Sequence, residues 1–308
     1  QPDRACHLGR MSTLHDRNLV RLVASESAPC LNGLLSILVV KELSRGAIHG
    51  GATTRRTMRV AVLASGGKDS SYAAWWATLQ GWHIVALVTV GVQSNDSMMF
   101  QTQNTAIAGL QAASMGVPWL PVTTNGEEKQ EMRDLEQGLS GSCSIGDSFQ
   151  TMWPESFTRP DCLELHDGLV DIDGLVVGAL RSDYQKTNIE MMCERLGISS
   201  FCPLWHHRPQ NHMKSLLDHG FVVRFTSVSC EGLDEGWLGA ALTDQTLRDL
   251  GGLAREFRFN LDGEGGEFET IVTHGPHLKR EISCDGDSCW EGSRGVWVMR
   301  SCSLSEHR

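Results

Sequence analysis

The chain has 308 residues, 41% of them hydrophobic and 21% charged, enough to bury a sizeable core and, by length, to form two domains. Its net charge of −10 is unevenly spread: residues 1–57 carry eight basic and four acidic side chains, whereas the remaining 251 carry 19 and 33, a net −14. So acidic a body excludes broad electrostatic binding to nucleic acid and suits a small substrate or a basic partner surface.

Ten cysteines are scattered without a C-x2-C pair, the closest two being Cys284 and Cys289, which excludes a zinc knuckle or a thioredoxin-like dithiol. They read as mostly buried, reduced thiols of a cytoplasmic protein. Residues 1–57 show neither strand nor helix periodicity, and their one apolar run, Leu34 to Val40, is too short to span a bilayer and has no small-residue cleavage site after it. The first residue is Gln1, and Met58 stands directly before the first strand. The working protein is therefore expected to begin at Met58, behind a disordered or non-native extension.

From Met58 the pattern alternates strand and helix. Val60 to Ala64 predicts a strand, Ser70 to Gln80 a helix, His83 to Val90 a second strand, Gln103 to Met115 a helix and Trp119 to Thr123 a third strand. Gly126 to Gly138 reads as helical, Ser140 to Ser148 as an insertion or mobile loop, and Leu163 to Leu169 as resumed helix. Gly174 to Leu180 is a fourth strand, Tyr184 to Leu196 an amphipathic helix stopped by Gly197, and Ser200 to Pro203 a short fifth strand. The expected class is α/β: a doubly wound, mostly parallel five-stranded sheet over 58–205. A polar, proline-containing linker, His206 to Asn211, then leads to a smaller α+β domain, 206–308. Its expected elements are a helix His212 to His219, a strand Phe221 to Val228, a helix Leu238 to Leu250, and strand-like pieces at Phe257 to Phe259, Glu267 to Val272 and Val296 to Arg300.

Chemistry concentrates at the end of the first strand, where Ser65-Gly66-Gly67-Lys68-Asp69-Ser70 joins strand to helix. Adjacent glycines let backbone approach a ligand, and the unpaired N–H groups of a first helical turn favour an anion, so a phosphate is the natural guest. Lys68 adds charge, Ser65 and Ser70 add hydroxyl donors, and Asp69 suits a helix cap or a magnesium ion between phosphate oxygens. The loop is not a Walker A motif, because Val62 and Asp69 stand where that pattern needs glycine and Ser or Thr.

Three further segments stand out, two of them just past the second and fourth strands, where ligands of such sheets bind, and the third in the second domain. They are Ser97-Met98-Met99-Phe100-Gln101, Arg181-Ser182-Asp183-Tyr184-Gln185-Lys186-Thr187-Asn188-Ile189-Glu190 and, downstream, Gly263-Glu264-Gly265-Gly266-Glu267-Phe268-Glu269-Thr270. The methionines also fit a core, Gln185 and Glu190 a solvated helix face, and Gly265-Gly266 a hairpin turn. Three carboxylates threaded through glycine nevertheless repel unless a cation or donor compensates, which favours a site. His274 and His277 lack a third ligand and are not read as a metal pair.

The glycine loop resembles the pyrophosphate loop of the N-type ATP pyrophosphatases. Together the four segments, with the Pro203-Leu204-Trp205 end of the fifth strand and the stretch Leu233 to Gly239, resemble the diphthine–ammonia ligase, or diphthamide synthase, family from Met58 to about Pro276. The resemblance implies a HUP-like ATP-binding domain and an enzyme that uses ATP, magnesium and ammonium to amidate diphthine on translation elongation factor 2, with no nucleic acid or membrane partner. It implies that Ser65, Gly66, Gly67, Lys68, Asp69 and Ser70 bind the ATP phosphates, that Lys68, Asp69, Glu264 and Glu267 serve catalysis, with Asp69 toward magnesium, and that Met99, Gln101, Tyr184, Gln185, Glu190, Gly265 and Gly266 contact substrate. Asn188 stands where relatives usually carry a basic residue and His274 where an acid or small residue is usual, with Arg181 a candidate for the missing charge. With Gln1 rather than Cys first and no separate glutaminase domain, free ammonium is the expected nitrogen source. Two other readings stay open on the residues alone: another ATP pyrophosphatase, such as a transfer-RNA thiolase, and an ATP-binding sensor without turnover.

Overall fold

The structure, a computed structural model, describes residues 56–92 and 104–306, all within one compact unit, Arg56–Arg308. The expectations placed on residues 1–55, and on Met99 and Gln101, fall outside the described residues. Five parallel strands, β1 (Arg59–Leu63), β2 (His83–Val92), β3 (Trp119–Thr124), β4 (Gly174–Val177) and β5 (Ser199–Phe201), line up in the order β3-β2-β1-β4-β5. Between them run α1 (Lys68–Leu79), α2 (Ile107–Met115), α3 (Glu128–Leu139), α4 (Ile145–Met152) and α5 (Asp183–Leu196).

Side chains along β1 divide between two cores, as a pleat covered on both faces requires. Val60 and Val62 enter one with α1 and α2; Ala61 enters the other with Leu175, Val177 and Ile189. The chain winds outward from β1 to β3 and then returns to β4 on the other side of β1. The cleft at the carboxyl ends of β1 and β4 is therefore the switch point where such sheets bind ligands.

Beyond β5 come α6 (Pro209–Asp218), β6 (Val222–Val228), α7 (Asp244–Phe257), β7 (Phe268–His274), β8 (Ile282–Glu291) and β9 (Arg294–Leu304), the strands forming an antiparallel sheet in the order β7-β6-β9-β8. Phe225, Phe268, Ile271 and Trp297 of this sheet share one continuous core with Val60, Val62, Ile107 and Leu110 of the parallel layer. The smaller sheet is thus built onto one side of the nucleotide-type half.

Several elements depart from the sequence expectation. Ser140 to Ser148, expected as a mobile loop, turns into α4, with Ser144 capping through a hydrogen bond accepted from the Asp147 amide and Phe149 stacked on Trp153, both against Trp119. Leu163 to Leu169 is not helical: the Trp119 amide donates to the Glu164 carbonyl and the His166 amide to the Trp119 carbonyl, so the segment covers the open edge of β3. The helix expected from Leu238 begins at Asp244, where Thr243 and Thr246 form a reciprocal cap, and it absorbs Phe257 from the strand expected there. β8 was not foreseen, because its Ile-Ser-Cys-Asp-Gly-Asp run buries only its first residue fully.

The cysteines are also less hidden than expected. Cys284 and Cys302, opposite each other in β8 and β9, form a disulfide, and of the free cysteines among the described residues only Cys193 is buried. Among the described residues no helix is long and apolar enough to cross a membrane.

Candidate active site

The turn after β1 is shaped by glycine. Gly66 sits at φ +85°, and a Cβ there would come within 2.1 Å of Ile107 Cγ2. Gly178, just past β4, faces the start of α1 so closely that a Cβ would lie 2.7 Å from the Asp69 carbonyl carbon and the Ser70 nitrogen. The two ends of the switch point therefore meet backbone to backbone, and the first turn of α1 opens into the cleft between them.

Downstream chain holds this turn from outside. The Val272 amide of β7 donates to the Gly66 carbonyl at 2.9 Å, and buried Gln111 of α2 donates to both the Gly66 and Val272 carbonyls, at 2.9 and 2.8 Å. The Lys68 amide reaches Thr270 Oγ1 of β7 at 3.3 Å. Inside the loop the Ser70 hydroxyl donates to the Gly67 carbonyl at 3.2 Å, and the Gly67 amide lies 3.4 Å from Ser65 Oγ.

Lys68 is buried, with Nζ 2.8 Å from Asp69 Oδ2 and 5.7 Å from the centre of the Phe268 ring. The other Asp69 oxygen, Oδ1, lies 2.7 Å from Nε2 of fully buried His212 in α6. Burial alone would push the Asp69 carboxyl up, but Lys68 and His212 together outweigh it and hold the group at about 2.

The facing wall is the loop Gly263 to Gly266 that leads into β7. Glu264 Oε1 accepts from the backbone amides of Arg181, at 2.9 Å, and Ser182, at 3.1 Å, where α5 begins. Burial raises the Glu264 carboxyl, and Asp69 across the cleft adds to that, against the Arg181 amide and charge, which pull it down. Arg181 Nη2 meets both oxygens of Asp262, at 2.6 and 2.7 Å, and the Asp262 side chain has no exposure at all. This pair ties the loop to the carboxyl end of β4. It also commits the guanidinium within the protein, so Arg181 does not stand in for a basic residue at position 188; Asn188 itself donates to the Tyr184 carbonyl.

Between these walls is a cavity of about 430 Å³. The phosphate loop, the ends of β1, β2 and β4, Gln185, Gly263 to Gly266 and Phe268 to Thr270 line it. Ser65, Gly67, Lys68, Asp69, Ser70, Gln185, Glu264, Gly265 and Gly266 are therefore brought together. Gly66 shapes the turn from behind the wall. Tyr184 packs on the second core, and Glu190, paired with Lys186, stays out of the lining. Glu267 is likewise absent from the wall: its Oε1 accepts from the Asn260 amide and side chain, both at 2.8 Å, and its Oε2 from the Gly265 amide at 2.8 Å. Its role is to fold the loop, while Glu269 stands on the lining.

Sequence reading missed His212 and Gln111 and named Thr270 only as the end of the glycine-acid run; each acts through a partner more than 40 positions away. Asp262 was open to discovery, lying immediately before the glycine-acid run.

Fold and site together define an α/β nucleotide-binding protein, its phosphate loop closed over by a second, antiparallel module. Its residues 58–143 match the model of the diphthamide synthase N-terminal domain, and residues 208–304 that of the diphthamide synthase C-terminal domain. The diphthine–ammonia ligases of Rattus norvegicus and Homo sapiens are each 30% identical over 236 residues, covering 74% of this chain and 83% of those proteins. That of Schizosaccharomyces pombe is 27% identical over 246 residues, covering 77% of this chain and 38% of that longer protein. The chain belongs to the diphthamide synthase family of ATP-binding ligases.

Proposed function

We propose that this protein amidates diphthine to diphthamide on translation elongation factor 2, consuming ATP and ammonium and releasing AMP and pyrophosphate. The observation that carries the reading is that one cavity takes its walls from both matched domains, the Ser65 to Ser70 loop on one side and Gly263 to Gly266 with Phe268 to Thr270 on the other. In this reading residues 58–205 bind ATP and residues 206–308 bind the protein substrate, in the cytoplasm where the factor works.

A carboxylate does not react with ammonia at neutral pH, because its oxygen is a poor leaving group. ATP, as a substrate, removes that obstacle. The diphthine carboxylate oxygen attacks the α-phosphorus, the bond to the β-phosphate oxygen breaks, and an acyl-adenylate forms. Pyrophosphate leaves into the first turn of α1, where backbone amides and Lys68 meet the developing charge. Ammonium gives up one proton to become ammonia, ammonia attacks the acyl carbon, and a second proton leaves the nitrogen as the amide forms and AMP departs; the phosphate of the departing AMP and a carboxylate of the cavity wall can take them up. Glu264 suits that step: one of its oxygens is fixed by two amides, the other is available, and burial raises its carboxyl. Glu269 is the second acid on the wall.

Magnesium would be held by Asp69 and the phosphate oxygens. Each Asp69 oxygen accepts one hydrogen bond and keeps a lone pair, and the side chain is 28% exposed toward the cleft, which fits an ion usually bound through one or two carboxylates plus substrate oxygens. The ion would supply charge neutralisation of the leaving pyrophosphate.

The test is to incubate the protein with ATP, magnesium, ammonium and diphthine-bearing elongation factor, and to follow AMP together with the mass of the modified histidine. Stoichiometric AMP with the mass change from acid to amide is expected. AMP without that change would leave an ATP pyrophosphatase acting on something else, and ATP binding without AMP would leave a sensor.

A further inference from the structure

His212 makes a contact that neither the motif pattern nor the cavity lining accounts for. It sits in the first turn and a half of α6, behind the wall rather than on it, and its ring is fully buried. Its Nε2 lies 2.7 Å from Asp69 Oδ1, across 143 positions of chain. A carboxylate can only accept, so Nε2 carries a hydrogen toward Asp69, while Nδ1 has no hydrogen-bond partner. The ring is fixed from the side by Tyr72 of α1, edge-on at 5.4 Å, and one turn further along α6 the Tyr72 hydroxyl meets Ser215 Oγ at 2.9 Å.

We propose that His212 is a positioning residue for the phosphate loop, fixing the Asp69 carboxylate and, through it, the ammonium of Lys68. With His212 in place Asp69 has two donors, one on each oxygen. When a phosphate draws Lys68 away from Asp69, the imidazole donor remains and the carboxylate keeps a side-chain hydrogen bond. Without His212, Lys68 would be the carboxylate's only side-chain donor, and freeing it for a polyphosphate would strip a partly buried carboxylate of its last side-chain hydrogen bond. The same bond makes loop geometry depend on how α6, part of the downstream module, is seated. This inference rests on the proposal that the loop holds the β- and γ-phosphates of ATP.

The experiment uses the whole chain and compares calorimetric affinities for ATP and for AMP, which lacks the two outer phosphates. His212→Phe removes the donor and keeps a ring; His212→Gln keeps an amide donor near the Nε2 position; Tyr72→Phe loosens the same helix seam without touching Asp69. His212→Phe is expected to weaken ATP by about tenfold, the size of one lost charge-assisted hydrogen bond, and AMP by less than about twofold. His212→Gln should recover ATP affinity to within about threefold of the unaltered protein, and Tyr72→Phe should leave the ratio of the two affinities unchanged. If His212→Phe does not fold, His212→Asn, too short to reach Asp69, must show the same selective loss. Equal weakening of ATP and AMP, or an unchanged ATP affinity in a folded variant, would overturn the proposal. An unaltered protein that binds no ATP at all would instead remove the functional reading on which it rests.

Discussion

Replacing Arg181 with Met tests whether the acidic loop is held to the parallel sheet by one buried ion pair. Arg181 Nη2 makes two hydrogen bonds to Asp262, whose carboxylate has no contact with solvent. Removing the cation leaves a buried charge without its partner, which typically costs about 3–5 kcal/mol. The Arg181 side chain is 28% exposed, so water can partly enter the space it vacates, which places the expected loss at roughly 2–3 kcal/mol. For a body of this size each kcal/mol lowers the melting temperature by about 2–4 °C, giving a fall of roughly 4–12 °C. Replacing both partners, as Arg181→Met with Asp262→Leu, removes the stranded charge and should recover most of that loss. Urea denaturation of the two single variants and the double variant measures the coupling. An Arg181→Met protein as stable as the original, or a double variant no better than the sum of the singles, would refute the view that this pair fastens the loop.

Three further outcomes follow from the geometry. Lys68→Ala should cut AMP formation by about a hundredfold or more without unfolding the protein, since in the proposed mechanism it removes the charge that meets the leaving pyrophosphate; unchanged turnover would remove Lys68 from the chemistry. Asp69 is held from an ordinary 3.8 down to about 2, so it contributes stability above the unfolded-state value and loses it as pH falls through about 2. That contribution is worth about 2 kcal/mol, and Asp69→Asn should flatten the fall in stability between about pH 4 and 2; an identical pH slope in the variant would show that Asp69 is not so depressed. Finally, a chain restricted to residues 58–207 loses Thr270, Val272 and His212 and should bind ATP far more weakly than the whole protein, whereas equal affinity would show that the loop is shaped without its downstream partners.

The parallel layer was legible because each strand announces itself. Val60 to Ala64 is apolar and ends on glycines, and Gly197 stops α5 in the left-handed conformation its position implied. The second module was harder to read. β8 alternates polar side chains with small ones and sits at a sheet edge, so it lacks the apolar signal on which strand assignment depends. α4 was lost although Ile145, Phe149 and Met152 stand at helical spacing, because its start lies inside the Ser- and Gly-rich run Ser140 to Ser148 that reads as loop. At the site, residue types and order pointed to the loop and to the acid-glycine run, but not to which acid faces the cavity. Glu264, Glu267 and Glu269 look alike in sequence; only the turn at Gly265 and Gly266, with Asn260 folded back onto Glu267, separates them.

The contacts that escaped sequence reading share one physical feature: they join the loop after β1 to chain more than 40 residues distant. Gln111, Thr270, Val272 and His212 together engage the Gly66 carbonyl, the Lys68 amide and the Asp69 carboxylate, while the rest of the first turn of α1 opens to the cavity. A phosphate loop built on two adjacent glycines would otherwise carry a large conformational entropy, to be lost each time an anion bound. Fixing it in advance spends that entropy at folding, and donors already aimed at the site need not reorganise when charge develops there. Three of the four fastenings come from the module that also carries Glu264, so the wall presenting the acid and the restraints on the loop are one piece of structure. A shift of that module would move both sides of the cavity together, which would keep the two ends of the proposed reaction, an attack at phosphorus and then one at carbon, in register.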